Sequence, residues 1–278
     1  MKYHQAAFKA SHNSEERNET ISEQLTFNIC NPFNCGCSGI EFDIVQDKNS
    51  WNWSVSHGGN YTDAKDKQLT HYLQQVVDWR STKKGKDCDR VITIHFDIKN
   101  SHLSDNDFPA KFDEYIKRVP KLANSLYKPG ELMGNYNDLV SGAQANGWPE
   151  LDALKNKYIL CISGNEEHRK RAYAGTNPKS CLCFVDQPLE TDPVQYPDFT
   201  QGQRVFMNYH LYQKYYDNWF EQLQYMATQQ GFITRGWVLD NQDLWIKAQT
   251  AKLNIMATDK IKDHDWAQNG DYPFKSIV

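Results

Sequence analysis

Two histidines and three carboxylates stand out by where they fall in the chain. Ser11-His12-Asn13-Ser14 closes a strand-like run over residues 3–10, so His12 sits where a strand hands over to a loop. In Gly39-Ile40-Glu41-Phe42-Asp43-Ile44-Val45, Glu41 and Asp43 are two residues apart and share one face of a strand, while Ile40, Phe42 and Ile44 share the other. A third run, over residues 90–96, ends in Asp97-Ile98-Lys99-Asn100, which adds a carboxylate and, two positions on, a cation. Trp51-Asn52-Trp53-Ser54-Val55-Ser56 leads into His57-Gly58-Gly59, a second loop histidine.

Carboxylates gathered away from water raise one another's pKa, and burial adds to the cost, so such a group calls for a compensating cation. Glu41, Asp43 and Asp97 with the Asn13 amide form an all-oxygen donor set, which selects Ca²⁺ or Mg²⁺ over zinc. Two histidines flanking that cation suit cleavage of a phosphodiester: one takes a proton from the attacking hydroxyl and the other protonates the leaving oxygen. Lys99 adds positive charge on the phosphoryl side. Each feature alone has an ordinary structural reading: a strand-end histidine, a solvent-facing Glu-x-Asp alternation, a surface Asp-x-Lys pair. Their joint occurrence at the ends of three successive strands points to an active site.

Eight strand-like runs alternate with helical or loop stretches: residues 3–10, 40–45, 90–98, 158–163, 181–185, 205–209, 233–239 and 254–257. Eight parallel strands with crossovers close an α/β barrel of the (β/α)8 TIM type, and 278 residues are used up by one such domain spanning 1–278. Residues 63–80 put Leu69, Leu73, Val76 and Val77 on one helical face, and residues 212–229 form an aromatic-rich covering helix. Residues 122–157 read as long loops with one short helix, an irregularity in the barrel. Active sites form at the C-terminal ends of barrel strands, which makes Tyr209, His210, Arg235 and Asp240 candidates for substrate contact. Trp237 either borders the substrate or packs the barrel.

Net charge is −4, so no global basic field draws the protein to nucleic acid. No apolar run approaches the ~20 residues that span a bilayer. Met1-Lys2-Tyr3-His4 lacks the apolar core of a signal peptide, so a secreted or periplasmic residence requires that a signal be absent from this chain; the cytoplasm is the other reading. Cys30, Cys35 and Cys37 crowd one loop, where a disulfide within it or to Cys88 suits an exported protein; free thiols and a metal site are the alternatives. Cys161, Cys181 and Cys183 lie in apolar runs and read as buried. Trp51, Trp53 and Tyr61 beside His57 are candidates for transient contact with a lipid interface, and a monomer is expected.

Ser-His-Asn-Ser after the first strand, Glu-x-Asp in the second and His57 sixteen residues beyond Glu41 resemble the catalytic half of the phosphatidylinositol-specific phospholipases C. Tyr3-His4-Gln5, Lys9-Ala10-Ser11-His12-Asn13-Ser14, Trp53-Ser54-Val55-Ser56-His57 and Gly147-Trp148-Pro149-Glu150-Leu151 look like the pattern of the calcium-dependent bacterial type. The likeness covers nearly the whole chain and is sharp through Asn100; Trp237-Val238-Leu239-Asp240-Asn241 and Met256-Ala257-Thr258-Asp259 resemble the superfamily's seventh and eighth strands. The resemblance implies His12 as the base for the inositol 2-hydroxyl, His57 as the acid for the diacylglycerol oxygen, and Asn13, Glu41, Asp43 and Asp97 as Ca²⁺ ligands. Asp97-Ile98-Lys99 is also similar to the magnesium-dependent sphingomyelinase D group. Glycerophosphodiester phosphodiesterases fit less well, having Arg-Gly where this chain has Asn13-Ser14. A barrel that binds a phosphorylated headgroup or glycan without turnover is the non-enzymatic alternative.

Overall fold

The computed structural model of the chain describes residues 1–26, 36–190, 195–211, 216–262, 264–267 and 275–276. Among the described residues ten strands are formed: β1 (Ala6–Ser11), β2 (Gly39–Gln46), β3 (Trp53–Val55), β4 (Ile92–Asn100), β5 (Tyr158–Gly164), β6 (Phe184–Leu189), β7 (Phe206–His210), β8 (Ile233–Trp237), β9 (Ile255–Thr258) and β10 (Lys275–Ser276). Eight of them, β1, β2, β4, β5, β6, β7, β8 and β9, pair in parallel in that order, and β9 returns to β1. The result is the closed (β/α)8 barrel expected from the eight runs. β3 and β10 add antiparallel strands to its rim, on β2 and β1.

Period-two alternation decides which side chains face the helices. Ile40, Phe42 and Ile44 of β2, Ile92, Ile94, Phe96 and Ile98 of β4, and Leu160 and Ile162 of β5 form one apolar layer with Leu69, Leu73, Val76 and Val77 of the helix Leu69–Ser81 and with Phe108 and Phe112 of the helix Phe108–Ile116. Fully burying such side chains stabilises by roughly 1.5–3 kcal/mol each. The intervening residues of the same strands, Glu41, Asp43, Thr93 and His95, are therefore pushed to the barrel side although they are polar and buried.

Residues 122–157 hold more structure than expected. Helices run over Pro120–Ala123, Pro129–Met133 and Leu139–Asn146, with a 3₁₀ turn at Leu151–Leu154. They are too short for periodicity to register, and local chemistry makes them: prolines at the first helical turn, and the Asp138 side chain accepting the Ser141 N–H at 2.8 Å. Gly134 and Gly147, which suggested loops, end two of these helices with φ of 58° and 65°. The covering helix near residue 220 runs over Tyr216–Met226, and residues 212–215 of the expected span lie outside the described residues.

The expected cysteine loop is resolved in part. Cys88 is disulfide-bonded, while Cys37 is a buried free thiol; Cys30 and Cys35 lie outside the described residues. Cys161, Cys181 and Cys183 are buried and free, as read. The buried Arg90 guanidinium donates to the carbonyls of Leu25, Gly36 and Cys37 at 3.0, 3.0 and 2.7 Å, which anchors the chain on both sides of residues 27–35.

Barrel closure is sparse at one seam. β1 and β2 pair at Ala10–Gly39, and a Cβ built on Gly39 would lie 2.6 Å from the Cβ of Ala10. Gly39→Val should therefore destabilise the protein by about 2 kcal/mol and lower its melting temperature by roughly 4–8 °C. An unchanged melting curve would contradict the tight seam.

Candidate active site

The chain leaves β1 through Asn13, whose backbone is left-handed with φ 42°, a conformation asparagine tolerates better than most residues. A 3₁₀ turn, Ser14–Glu16, follows and fills the edge of β2 above the seam. Ser14 Oγ accepts the Glu41 N–H at 3.1 Å, and Glu15 Oε1 accepts the Asp43 N–H at 3.4 Å. Glu16 Oε1 lies 3.1 Å from His57 Nδ1, and Arg17 Nη1 lies 2.9 Å from Asp259 Oδ1. Four successive side chains of one turn thus reach the strands and loops that carry the chemistry.

Both histidines are tied at Nδ1 by a carboxylate. His12 Nδ1 is 2.9 Å from Asp259 Oδ1, and Asp259 is itself held by its N–H donating to Asp240 Oδ1 at 2.7 Å. The opposite nitrogens face β2: His12 Nε2 stands 4.0 Å from Glu41 Oε2, and His57 Nε2 stands 3.9 Å from Asp43 Oδ2. Trp237 faces the His12 ring at 5.4 Å between centroids and stacks on His210 at 3.8 Å. Val238, next in the chain, has φ 67°, a costly conformation for a β-branched residue that turns the backbone directly behind Trp237.

Two protein cations accompany the carboxylates. Lys99 Nζ lies 3.1 Å from both Asp43 Oδ1 and Asp97 Oδ2, and Arg235 Nη2 lies 2.8 Å from Glu41 Oε2. Arg235 Nη1 also donates to Asn208 Oδ1, whose amide donates to Asp186 Oδ2, and the buried Lys170 binds Asp186 Oδ1 at 2.9 Å. Burial and the charge of Asp97 push the Asp43 carboxyl up to about 6, and burial with the charge of Asp43 pushes Glu15 up to about 9. Burial and Glu41 also push Asp97 up. Glu41 goes the other way, because Arg235 and His12 outweigh its burial. For His12 burial is the largest single influence and pulls downward, yet the Asp259 hydrogen bond and the Glu41 charge together raise the imidazole above its usual range.

The expected residues distribute as follows. His12, Asn13, Glu41, His57, Asp97, Lys99, Arg235 and Trp237 line one cleft of about 360 Å³, and Asp43 touches it through Lys99 and His57. Lys99, expected on the phosphoryl side, lines this cleft and is seated between two carboxylates. Tyr209 does not belong: it is buried in the core with its neighbours on β7, Asn208 and His210, facing the cleft, so strand alternation excludes it. Trp53 is fully buried and cannot meet a lipid surface, whereas Trp51 is 45% exposed. A second cavity, about 450 Å³ and lined by Arg171, Asp198 and Arg204, holds no histidine.

Glu15, Glu16, Arg17, Asp186 and Asn208 went unread in the sequence, and Asp259 was read only as the end of a strand-eight resemblance, with no role. Asp259 follows the last barrel strand and Asp186 falls inside β6, which runs over Phe184–Leu189 instead of ending at 185, so correct strand ends would have exposed both. The roles of Glu15, Glu16 and Arg17 depend on a turn with no sequence pattern beyond three charges.

The donor chemistry fits a hard cation. Asp43 Oδ2 and Asp97 Oδ1 are buried without a hydrogen-bond partner, Asp43 Oδ1 has the Lys99 ammonium at 3.1 Å, and every nearby donor atom on Asn13, Glu41, Asp43 and Asp97 that could coordinate is oxygen. Among the described residues no three or more His, Cys, Asp or Glu side chains are gathered as a metal centre, and Lys99 occupies the place between Asp43 and Asp97.

Asp259→Ala should lower the titration midpoint of His12, followed by NMR of its imidazole protons, because the acceptor that offsets burial is removed. An unmoved midpoint would contradict the pairing.

The sequence matches no known protein-family description and no curated protein. Among solved structures, a calcium-dependent phosphoinositol-specific phospholipase C from a Pseudomonas species matches with a TM-score of 0.70 and 18% identity, over 95% of this chain and 92% of that one. A Ca²⁺-dependent phosphatidylinositol-specific phospholipase C from Streptomyces antibioticus matches at 0.70 and 15%, over 93% and 95%. A glycerophosphodiester phosphodiesterase from Parabacteroides distasonis matches at 0.55 and 14%, over 92% and 94%. At these identities the likeness establishes the architecture: the chain has the barrel fold of the calcium-dependent phosphoinositol-specific phospholipase C structures.

Proposed function

We propose that the protein is a metal-dependent phosphodiesterase of the phospholipase C type, cleaving phosphatidylinositol to diacylglycerol and a cyclic or linear inositol phosphate. The observation that carries this reading is the paired arrangement of His12 and His57. Each imidazole is tied at Nδ1 by its own carboxylate and turns Nε2 toward a buried carboxylate of β2, Glu41 for His12 and Asp43 for His57. A phosphodiester between them meets a base on one side and an acid on the other.

In this reading His12 Nε2 accepts the proton of the attacking hydroxyl, and Asp259 stabilises the imidazolium that forms. His57 Nε2 donates a proton to the leaving oxygen as its bond to phosphorus breaks. Arg235, buried beside Glu41 and lining the cleft, faces the phosphoryl group with a fixed positive charge. Asn13, Glu41, Asp43 and Asp97 would hold Ca²⁺, with Mg²⁺ as the alternative, and the ion would supply neutralisation of charge on the phosphoryl group. Lys99 Nζ stands 3.1 Å from Asp43 Oδ1 and Asp97 Oδ2, on two of the carboxylates that would hold the ion. Asn165, Asp186, Glu190 and Asn208 add hydrogen-bonding groups to a lining that also includes Pro188 and Leu189, which suits a polyhydroxylated headgroup better than an apolar one.

Purified protein with Ca²⁺ and a mixed lipid panel, followed by ³¹P NMR, should yield inositol phosphate from phosphatidylinositol and lose that activity in excess chelator. His12→Ala and His57→Ala should each cost roughly 10²–10⁴-fold in rate. Choline release from sphingomyelin, glycerol phosphate from deacylated lipids, or no new signal would each replace this assignment with a different one.

Contact with the substrate-bearing surface is assigned to Trp51, on the hairpin between β2 and β3, which has φ 56° and is 45% exposed. Among the described residues no helix is long and apolar enough to cross a membrane. Trp51→Ala should weaken sedimentation with phosphatidylinositol vesicles while sparing turnover of a soluble phosphodiester; equal losses in both assays would refute the role.

A further inference from the structure

We propose that the cavity beside the helix Glu167–Ala174 is a second ligand site, which takes a small phosphate-bearing anion between Arg171 and Arg204. The cavity holds about 450 Å³ and is lined by both arginines and by Asp198, Gln201 and Gln203. That volume falls in the range of small-molecule sites, roughly 300–1,000 Å³. No residue lines both this cavity and the histidine cleft, so the inference stands apart from the reading of that cleft.

Positive charge is in excess here. Glu167 Oε1 lies 3.1 Å from Arg171 Nε and 2.9 Å from Arg204 Nη1, and its Oε2 lies 3.3 Å from Lys170 Nζ. Lys170 has a second carboxylate, Asp186 Oδ1 at 2.9 Å, whereas among the described residues the two arginines pair with Glu167 alone. Burial pulls the Glu167 carboxyl up, yet Arg204 and Lys170 outweigh it and hold the group below its usual range. One ionised carboxylate is thus shared by three cations. Asp198 does not redress the balance: its Oδ1 accepts the Thr200 N–H and hydroxyl at 3.0 and 2.6 Å, and its Oδ2 accepts from Gln201 Nε2 at 3.2 Å. Both oxygens serve their own turn.

The two arginines have different tasks. Arg204 is 2% exposed and its N–H donates to Gln201 O at 3.0 Å, which fixes the chain just before β7. Its Nη2 is buried and, among the described residues, has no hydrogen-bond partner. A buried donor left unpaired is costly, and an acceptor seated in the adjoining cavity removes that cost. Arg171 is 73% exposed and closes over the ligand from the helix. Guanidinium forks match phosphate oxygens bidentately, and two of them meet both charges of a phosphate dianion where a carboxylate would meet one. Inorganic phosphate and a phosphate monoester share this chemistry.

The test titrates ¹⁵N-labelled full-length protein with glycerol 3-phosphate and, separately, with inorganic phosphate at about pH 8, above the second phosphate pKa of roughly 6. Ionic strength is held constant with NaCl, and the arginine Nε–H signals are followed by NMR, with Arg171→Ala and Arg204→Lys identifying the two of interest. Saturable shifts of both signals are expected with at least one probe, and the lower midpoint tells whether the free ion or the ester is preferred. In Arg171→Ala, whose exposed side chain the fold does not need, the Arg204 midpoint should rise roughly tenfold, as loss of a hydrogen bond between charged groups implies. Shifts confined to Arg235 and its cleft, shifts reproduced by NaCl alone, or an unchanged Arg204 midpoint in Arg171→Ala would each overturn the proposal.

Discussion

Carboxylates on the inner side of a closed barrel are the constraint from which the rest of the site follows. Glu41 and Asp43 lie on β2 two residues apart and are almost fully removed from water. The alternation that buries Ile40, Phe42 and Ile44 against the helices leaves them no other direction. Charges so placed must be matched, and leaving one unmatched costs several kcal/mol. Arg235 meets Glu41, and Lys99 meets Asp43 and Asp97, while Asp43 Oδ2 and Asp97 Oδ1 keep no hydrogen-bond partner.

The same requirement extends outward. Arg235 is held by Asn208, Asn208 by Asp186, and Asp186 by the fully buried Lys170 from an outer helix. A line of alternating donors and acceptors therefore joins β2, β8, β7 and β6 across the mouth, and truncating one member leaves a buried group unpaired. Preorganised charge of this kind is what a reaction on a phosphate diester draws upon, since the fixed groups need not reorient as charge develops.

Where β1 and β2 separate above Ala10 and Gly39, a ladder is replaced by side chains. Ser14 and Glu15 satisfy the N–H groups of Glu41 and Asp43 that strand pairing leaves open, and nearby His12 and Glu16 pair with Asp259 and His57. Structural repair and chemical positioning share one turn.

Much was legible in the sequence alone. Eight β-rich runs determined a barrel, because strand composition and spacing are local properties; strand ends erred mainly at β6, where an end at Leu189 instead of residue 185 takes Asp186 into the strand. His12, Glu41, Asp43, His57 and Asp97 were readable for the same reason: two-residue alternation and strand-end placement are written in neighbouring positions. Short helices in residues 122–157 were not, being set by prolines and caps that periodicity does not see. Tertiary structure alone decided the partners. That Asp259 takes His12, Glu16 takes His57, Lys99 sits between Asp43 and Asp97, and Tyr209 turns into the core while His210 turns out depends on strand register and on loops from distant parts of the chain. A sequence specifies which face a residue shares with its neighbours two positions away; only closure of the barrel specifies what stands opposite.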